Sequence, residues 1–101
     1  MKLMPLLPSK LLAEVPPGSL AEFETAAFTY AICNVDGVIH CVDGICPHAG
    51  GPLAEGALHG STIVCPWHGW EFDVCSGRGE DSDLTTFPVT VEAGRIFIQI
   101  P

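Results

Sequence analysis

The chain reads as short apolar stretches broken by glycine and proline. Residues 28–33 alternate: Phe28, Tyr30 and Ile32 point one way, Thr29, Ala31 and Cys33 the other. A period of two predicts a strand. Asp36-Gly37 follows, a dipeptide suited to a two-residue hairpin turn because both positions accept positive φ. Residues 38–42 then return as the partner strand. Towards the C-terminus, Val89 and Val91 alternate with Thr90 and Glu92. Ala93-Gly94 turns the chain, and Ile96, Ile98 and Ile100 share one face. This second hairpin is expected in the core. Upstream, residues 3–7 predict a first strand, and residues 9–14 a helical turn with Ser9 as its N-cap. Pro16-Pro17-Gly18 predicts a turn, and residues 20–25 a further strand.

Regular punctuation of short strands predicts an all-β fold, a small antiparallel base that is barrel- or sandwich-like. Residues 43–79 depart from it. They hold eight of the 11 glycines, both tryptophans and three of the four histidines. This stretch reads as a loop-built site carried on a β scaffold. At 101 residues there is room for one domain, 1–101, with the inserted subdomain at about 43–77. A domain this small gains from a staple such as a metal or a disulfide.

Hydrophobic residues make up 48% and charged ones 16%, which excludes a disordered chain. Four Lys and Arg against 12 Asp and Glu give a net charge of −8. That balance argues against nucleic acid and anionic membranes as partners, since phosphate contacts need cations. The N-terminus has a lysine and several leucines, but Pro5 and Pro8 interrupt the run before it resembles an export signal. No stretch of 18 apolar residues occurs, so no membrane span is expected, and the lack of an export signal leads to the expectation of a cytoplasmic protein.

Five cysteines is an odd number, which suits metal binding in a reducing compartment better than a disulfide framework. Two motifs stand out: Cys46-Pro47-His48 and, after 16 intervening residues, Cys65-Pro66-Trp67-His68. Each sets a thiolate and an imidazole a few residues apart in a proline-stiffened loop. Two Cys and two His suit Zn²⁺ or an iron–sulfur cluster. Zinc sites usually pair Cys with Cys and His with His, whereas each loop here mixes them. A two-iron cluster explains the mixing, because each loop then sends its Cys to one iron and its His to the other.

The stretch CPHAGGPLAEG and, after it, VCPWHGWEFD resemble the Rieske [2Fe–2S] proteins. They are most similar to the small Rieske ferredoxins of aromatic-ring-hydroxylating dioxygenase systems. The resemblance extends to VPPG at 15–18, NVDG at 34–37 and EAGRIFIQI at 92–100. It implies that Cys46 and Cys65 bind a buried inner iron. It also implies that His48 and His68 bind the outer iron through Nδ1, leaving Nε2 towards solvent or a partner. Two ferric ions, two sulfides and two thiolates sum to zero formal charge, so adding an electron costs less than in a four-thiolate cluster.

The implied function is one-electron transfer from an NAD(P)H-dependent flavin reductase to a terminal Rieske oxygenase, by a monomeric carrier that is not itself an enzyme. Two rival readings are a small Rieske-like subunit of an assimilatory nitrite reductase and a structural zinc module. High-potential members of the family join the two loops by a disulfide; Gly51 and Trp67 stand at those positions here. Trp70 and Phe72 stand where those members carry Ser and Tyr hydroxyl donors. A potential near the bottom of the roughly −150 to +300 mV Rieske range follows.

The other candidates have plainer readings. Cys33 and Cys41 are expected as small buried hydrophobes, and Cys75 as packed or exposed. His40 and His59 lack a Cys at matching spacing and are not expected to be ligands. Trp67 and Trp70 either pack around the cluster or form a partner-docking or shielding surface. Glu80, Asp81 and Asp83 read as a solvated loop or, alternatively, as a contribution to docking. Gly50, Gly51 and Gly69 are expected to let backbone approach the cluster.

Overall fold

Asp36 and Gly37 take φ of 51° and 93°, closing the tight turn their sequence asks for. They join β3 (Thr29–Val35) to β4 (Val38–Asp43), in register from Val35 opposite Val38 to Tyr30 opposite Asp43. This computed structural model describes residues 6–47 and 50–99. Its remaining strands are β1 (Leu6–Leu11), β2 (Leu20–Glu24), β5 (Ala57–His59), β6 (Thr62–Val64), β7 (Glu71–Asp73), β8 (Thr86–Phe87), β9 (Val89–Glu92) and β10 (Arg95–Gln99). All pairings are antiparallel and form three sheets, ordered β1-β10-β9, β2-β3-β4-β8 and β5-β6-β7. No helix of the described residues is long and apolar enough to cross a membrane.

The β2-β3-β4-β8 sheet is the middle layer, because β3 is buried on both faces. Tyr30 and Ile32 face one core with Val15, Ile39, Cys41, Ile96 and Ile98, which closes the sandwich against β10. Ala31 and Cys33 face a second core with Val42, Cys46, Leu53, Ile63, Cys65, Phe72 and Val74. Alternation along one strand thus serves two cores, which is why β3 carries no charged residue. The second core roots the β5-β6-β7 sheet and its loops on the base.

Two expectations at the N-terminal end need correction. Ser9 does not cap a helix. It lies within β1, buried, and its Oγ donates to the Ile96 carbonyl at 2.9 Å. The register slips between Pro8 and Leu11, so Ser9 and Lys10 oppose Ile96 alone. In this β-bulge the Ser9 hydroxyl takes a carbonyl of the partner strand as its acceptor. Pro8 is tolerated because β1 is an edge strand. The helical turn is a single 3₁₀ turn at Leu12–Glu14. Residues 3–5 of the expected first strand, and Ile100 of the last, lie outside the described residues. Ile96 and Ile98 are fully buried, as the alternation requires, whereas Val91 is exposed.

Candidate metal centre

Gly44 ends the approach from β4. A Cβ there would sit 2.8 Å from Thr29 Cγ2, so only glycine lets the chain pass this close to β3. Cys46 is then tied to Gly50 and Gly51 across the first loop. The Cys46 N–H donates to the Gly51 carbonyl at 2.9 Å, and the Gly50 N–H donates to the Cys46 carbonyl at 2.8 Å. Downstream, the Leu53 N–H donates to the Gly44 carbonyl at 2.9 Å, so the loop leaves where it entered.

The second loop spans the tip between β6 and β7. The Cys65 N–H donates to the Trp70 carbonyl at 2.8 Å across its base. His68 and Gly69 take φ of 70° and 72°, which reverses the chain and places His68 at the exposed end. A β-carbon residue in this region is strained, and at His68 the closed turn enforces it.

The two thiols lie side by side at the foot of both loops. Cys46 and Cys65 are each 1% exposed, while His68 is exposed. Burial pushes the Cys65 thiol up, and the neighbouring Cys46 thiol pushes it further in the same direction. Backbone N–H groups of Trp67 and Gly51 pull the other way by favouring the thiolate. The Trp67 N–H reaches Cys65 Sγ at 3.4 Å. This donor set fits an anionic sulfur that is a ligand. The cradle fits too: a Cβ on Gly51 would come 3.1 Å from Cys65 Sγ. Gly50 and Gly69 take φ of 73° and 72°, a backbone conformation that favours glycine.

Cys46, Cys65 and His68 are thus brought to one end of the molecule. His48 lies outside the described residues. No three of the described Cys, His, Asp or Glu side chains converge on a single ion, which a site dividing its ligands between two irons does not require.

Cys33 and Cys41 are buried, and burial pushes the Cys33 thiol up to about 12. Cys75 is exposed, with His40 Nε2 3.6 Å from its Sγ. Spacing gave no sign of that pairing, since the two residues are 35 apart in sequence. His59 is exposed beside the Gly60 turn. Trp67 is half exposed at 51% and Trp70 is partly buried against the second core. Glu80, Asp81 and Asp83 are exposed, and Asp83 Oδ1 accepts the Gly79 N–H at 3.1 Å.

Residues 6–89 match the family described as "Rieske [2Fe-2S] domain". The chain is 33% identical over 93 residues to the "Naphthalene 1,2-dioxygenase system, ferredoxin component" of Pseudomonas aeruginosa, covering 88% of this chain and 89% of that one. Among solved structures it is similar to the Sphingomonas yanoikuyae B1 ferredoxin, with 30% identity, a TM-score of 0.89, and 96% and 100% of the two chains covered. It is also similar to a chain in the complex of reduced oxygenase and oxidized ferredoxin in carbazole 1,9a-dioxygenase. There the identity is 28% and the TM-score 0.85, over 93% of this chain and 92% of that one. The chain therefore belongs to the Rieske [2Fe–2S] domain family, among the ferredoxin components of aromatic dioxygenase systems, and its cofactor is a Rieske [2Fe–2S] cluster.

Proposed function

We propose that Cys46 and Cys65 hold the inner iron and His48 and His68 the outer one. The protein then carries single electrons from an NAD(P)H-dependent flavin reductase to a terminal aromatic-ring oxygenase. One observation carries this reading: two adjacent thiols are 1% exposed while His68 is exposed on the same loop as Cys65. A redox group spanning those positions is insulated at one end and open to a partner at the other. Once bound, the cluster supplies one-electron chemistry and nothing else.

The chain's own residues do the rest. The Trp67 and Gly51 amides stabilise the thiolate, and one core anchors Cys46 and Cys65 at the feet of the two loops. The His68 turn fixes the exit edge. The carrier has no catalytic residue. Residues of about 43–77 form the cluster-binding subdomain of one Rieske domain. Five free thiols suit the reducing cytoplasm, and the acidic balance suits protein partners, not nucleic acid or membrane. We read the carrier as a monomer.

The test is the reduced protein's EPR spectrum together with iron and sulfide analysis. Two irons and two sulfides per chain, with an average g below that of four-Cys clusters, are expected. His68→Cys should lower the potential or lose the cluster. A colourless zinc protein overturns the reading. Reduction by NADH through a flavin reductase, followed by oxygenase turnover, checks both partners.

A further inference from the structure

All 12 carboxylate side chains lie between Glu14 and Glu92, and in that stretch Arg78 is the single Lys or Arg. Its position is specific. An open groove of about 670 Å³ runs beside the exit edge, lined by His68, Trp70, Glu71, Asp73, Arg78 and Glu80 among others. The Asp73 N–H donates to the Arg78 carbonyl at 2.8 Å, and the Arg78 N–H donates to Ser76 Oγ at 3.2 Å. The backbone at Arg78 is therefore pinned to β7, while the side chain is exposed. Among the described residues no carboxylate pairs with its guanidinium. Arg95, by contrast, spends its Nη1 on the Ser9 carbonyl at 2.9 Å.

We propose that Arg78 sets the register of docking on the terminal oxygenase. Its guanidinium pairs with a carboxylate of that partner, while Glu71, Asp73 and Glu80 face basic side chains around it. The proposal rests on the oxygenase being the electron acceptor. A strongly acidic carrier is steered towards a basic patch by its overall field. A field of one sign brings the molecules together but leaves rotation about the His68 axis undefined. One cation set off that axis defines it, because a wrong rotation puts Arg78 against a like charge. The planar guanidinium adds direction, since it can grip a carboxylate with two parallel hydrogen bonds.

Net charge and register make opposite predictions, which gives the test. Binding of cluster-loaded wild type, Arg78→Gln, Arg78→Lys and Arg78→Glu is measured by calorimetry at low and high salt. The probes are the terminal oxygenases of the naphthalene 1,2-dioxygenase and carbazole 1,9a-dioxygenase systems. Glu92→Gln in β9 serves as a control far from the groove. If Arg78 sets the register, Arg78→Gln weakens binding about three- to tenfold although the carrier becomes more acidic. Arg78→Glu weakens it further, and Arg78→Lys retains part of the affinity. Midpoint potential and EPR spectrum stay at wild-type values in all three. Equal or tighter binding of Arg78→Gln overturns the proposal while the electron-acceptor reading stands. Failure of the wild type to bind either oxygenase overturns that reading and the proposal with it.

Discussion

The indole of Trp67 packs against Gly51. A Cβ at Gly51 would lie 3.0 Å from Trp67 Cγ and Cδ2 and 3.1 Å from Cys65 Sγ. These are the two positions at which high-potential relatives carry a disulfide. Here the first and second loops are joined by an aromatic ring on a glycine.

Gly51→Ala should therefore loosen the site. The added methyl group meets a ring and a buried sulfur, and overpacking of this kind costs about 1–3 kcal/mol. Gly50→Ala is the contrast, because its methyl group meets no protein atom within 4 Å and adds the strain of φ at 73°. Loss of visible absorbance under chelator challenge should be faster for Gly51→Ala than for Gly50→Ala. Equal rates would mean that the Gly51–Trp67 contact does not hold the loops.

The reduction potential should be low, near −150 mV at the foot of the Rieske range. Cys46 and Cys65 sit in one core with Leu53, Ile63 and Phe72, where added negative charge is poorly solvated. Phe72 is 2% exposed and has no hydroxyl to donate. Voltammetry of the loaded protein checks this, and a midpoint above about +100 mV, well inside the Rieske range, contradicts it.

Much of this was legible because the informative residues act locally. The hairpin at Asn34–Gly37 is specified by its own turn: Gly37 N–H donates to Asn34 Oδ1 at 2.7 Å. What spacing did not reveal is that Asn34 also donates through Nδ2 to the Val15 carbonyl at 2.7 Å, tying that hairpin to the segment before Pro16. The mixed Cys and His loops were legible for the same local reason. Ser9 was misplaced because a serine before an apolar run satisfies the local rule for an N-cap. Its actual acceptor, Ile96, is 87 residues away. The meeting of His40 with Cys75 was equally hidden, since it depends on how the segment after β7 docks against β4.

Cys75 should be a slow thiol despite its exposure. Partial desolvation of its sulfur and the Asp73 carboxylate both push its pKa up, so less of it is thiolate at neutral pH. Removing the carboxylate lowers the pKa and enlarges the thiolate fraction. Asp73→Asn should therefore speed alkylation of Cys75 by iodoacetamide at pH 8, with the site assigned by mass mapping. The Asn side chain retains an oxygen for the Cys75 N–H, which Asp73 accepts at 2.7 Å, so the turn is preserved. An unchanged or slower rate would remove the carboxylate as the cause. Cys33, buried and pushed up to about 12, should stay unlabelled in either protein.

Removing the cluster should unravel the molecule unevenly. Both thiols belong to the core beneath the β5-β6-β7 sheet, and without the cluster two uncrosslinked loops meet there. The other core, between β10 and the middle sheet, contains neither thiol ligand and is closed by Ile32, Ile96 and Ile98. Metal binding to preorganised ligands acts as folding free energy, so its loss falls on the loops it joins. Hydrogen exchange of the cluster-free protein should therefore rise first in β5, β6, β7 and residues 46–51. The β3–β4 and β9–β10 hairpins should keep more of their protection. A fall in Tm of about 10 °C or more, corresponding to roughly 2 kcal/mol in a domain of this size, should accompany it. Uniform loss of protection across both cores would mean that they fold as one unit and that the cluster staples the whole chain. Unchanged protection in β5–β7 would mean that it staples neither.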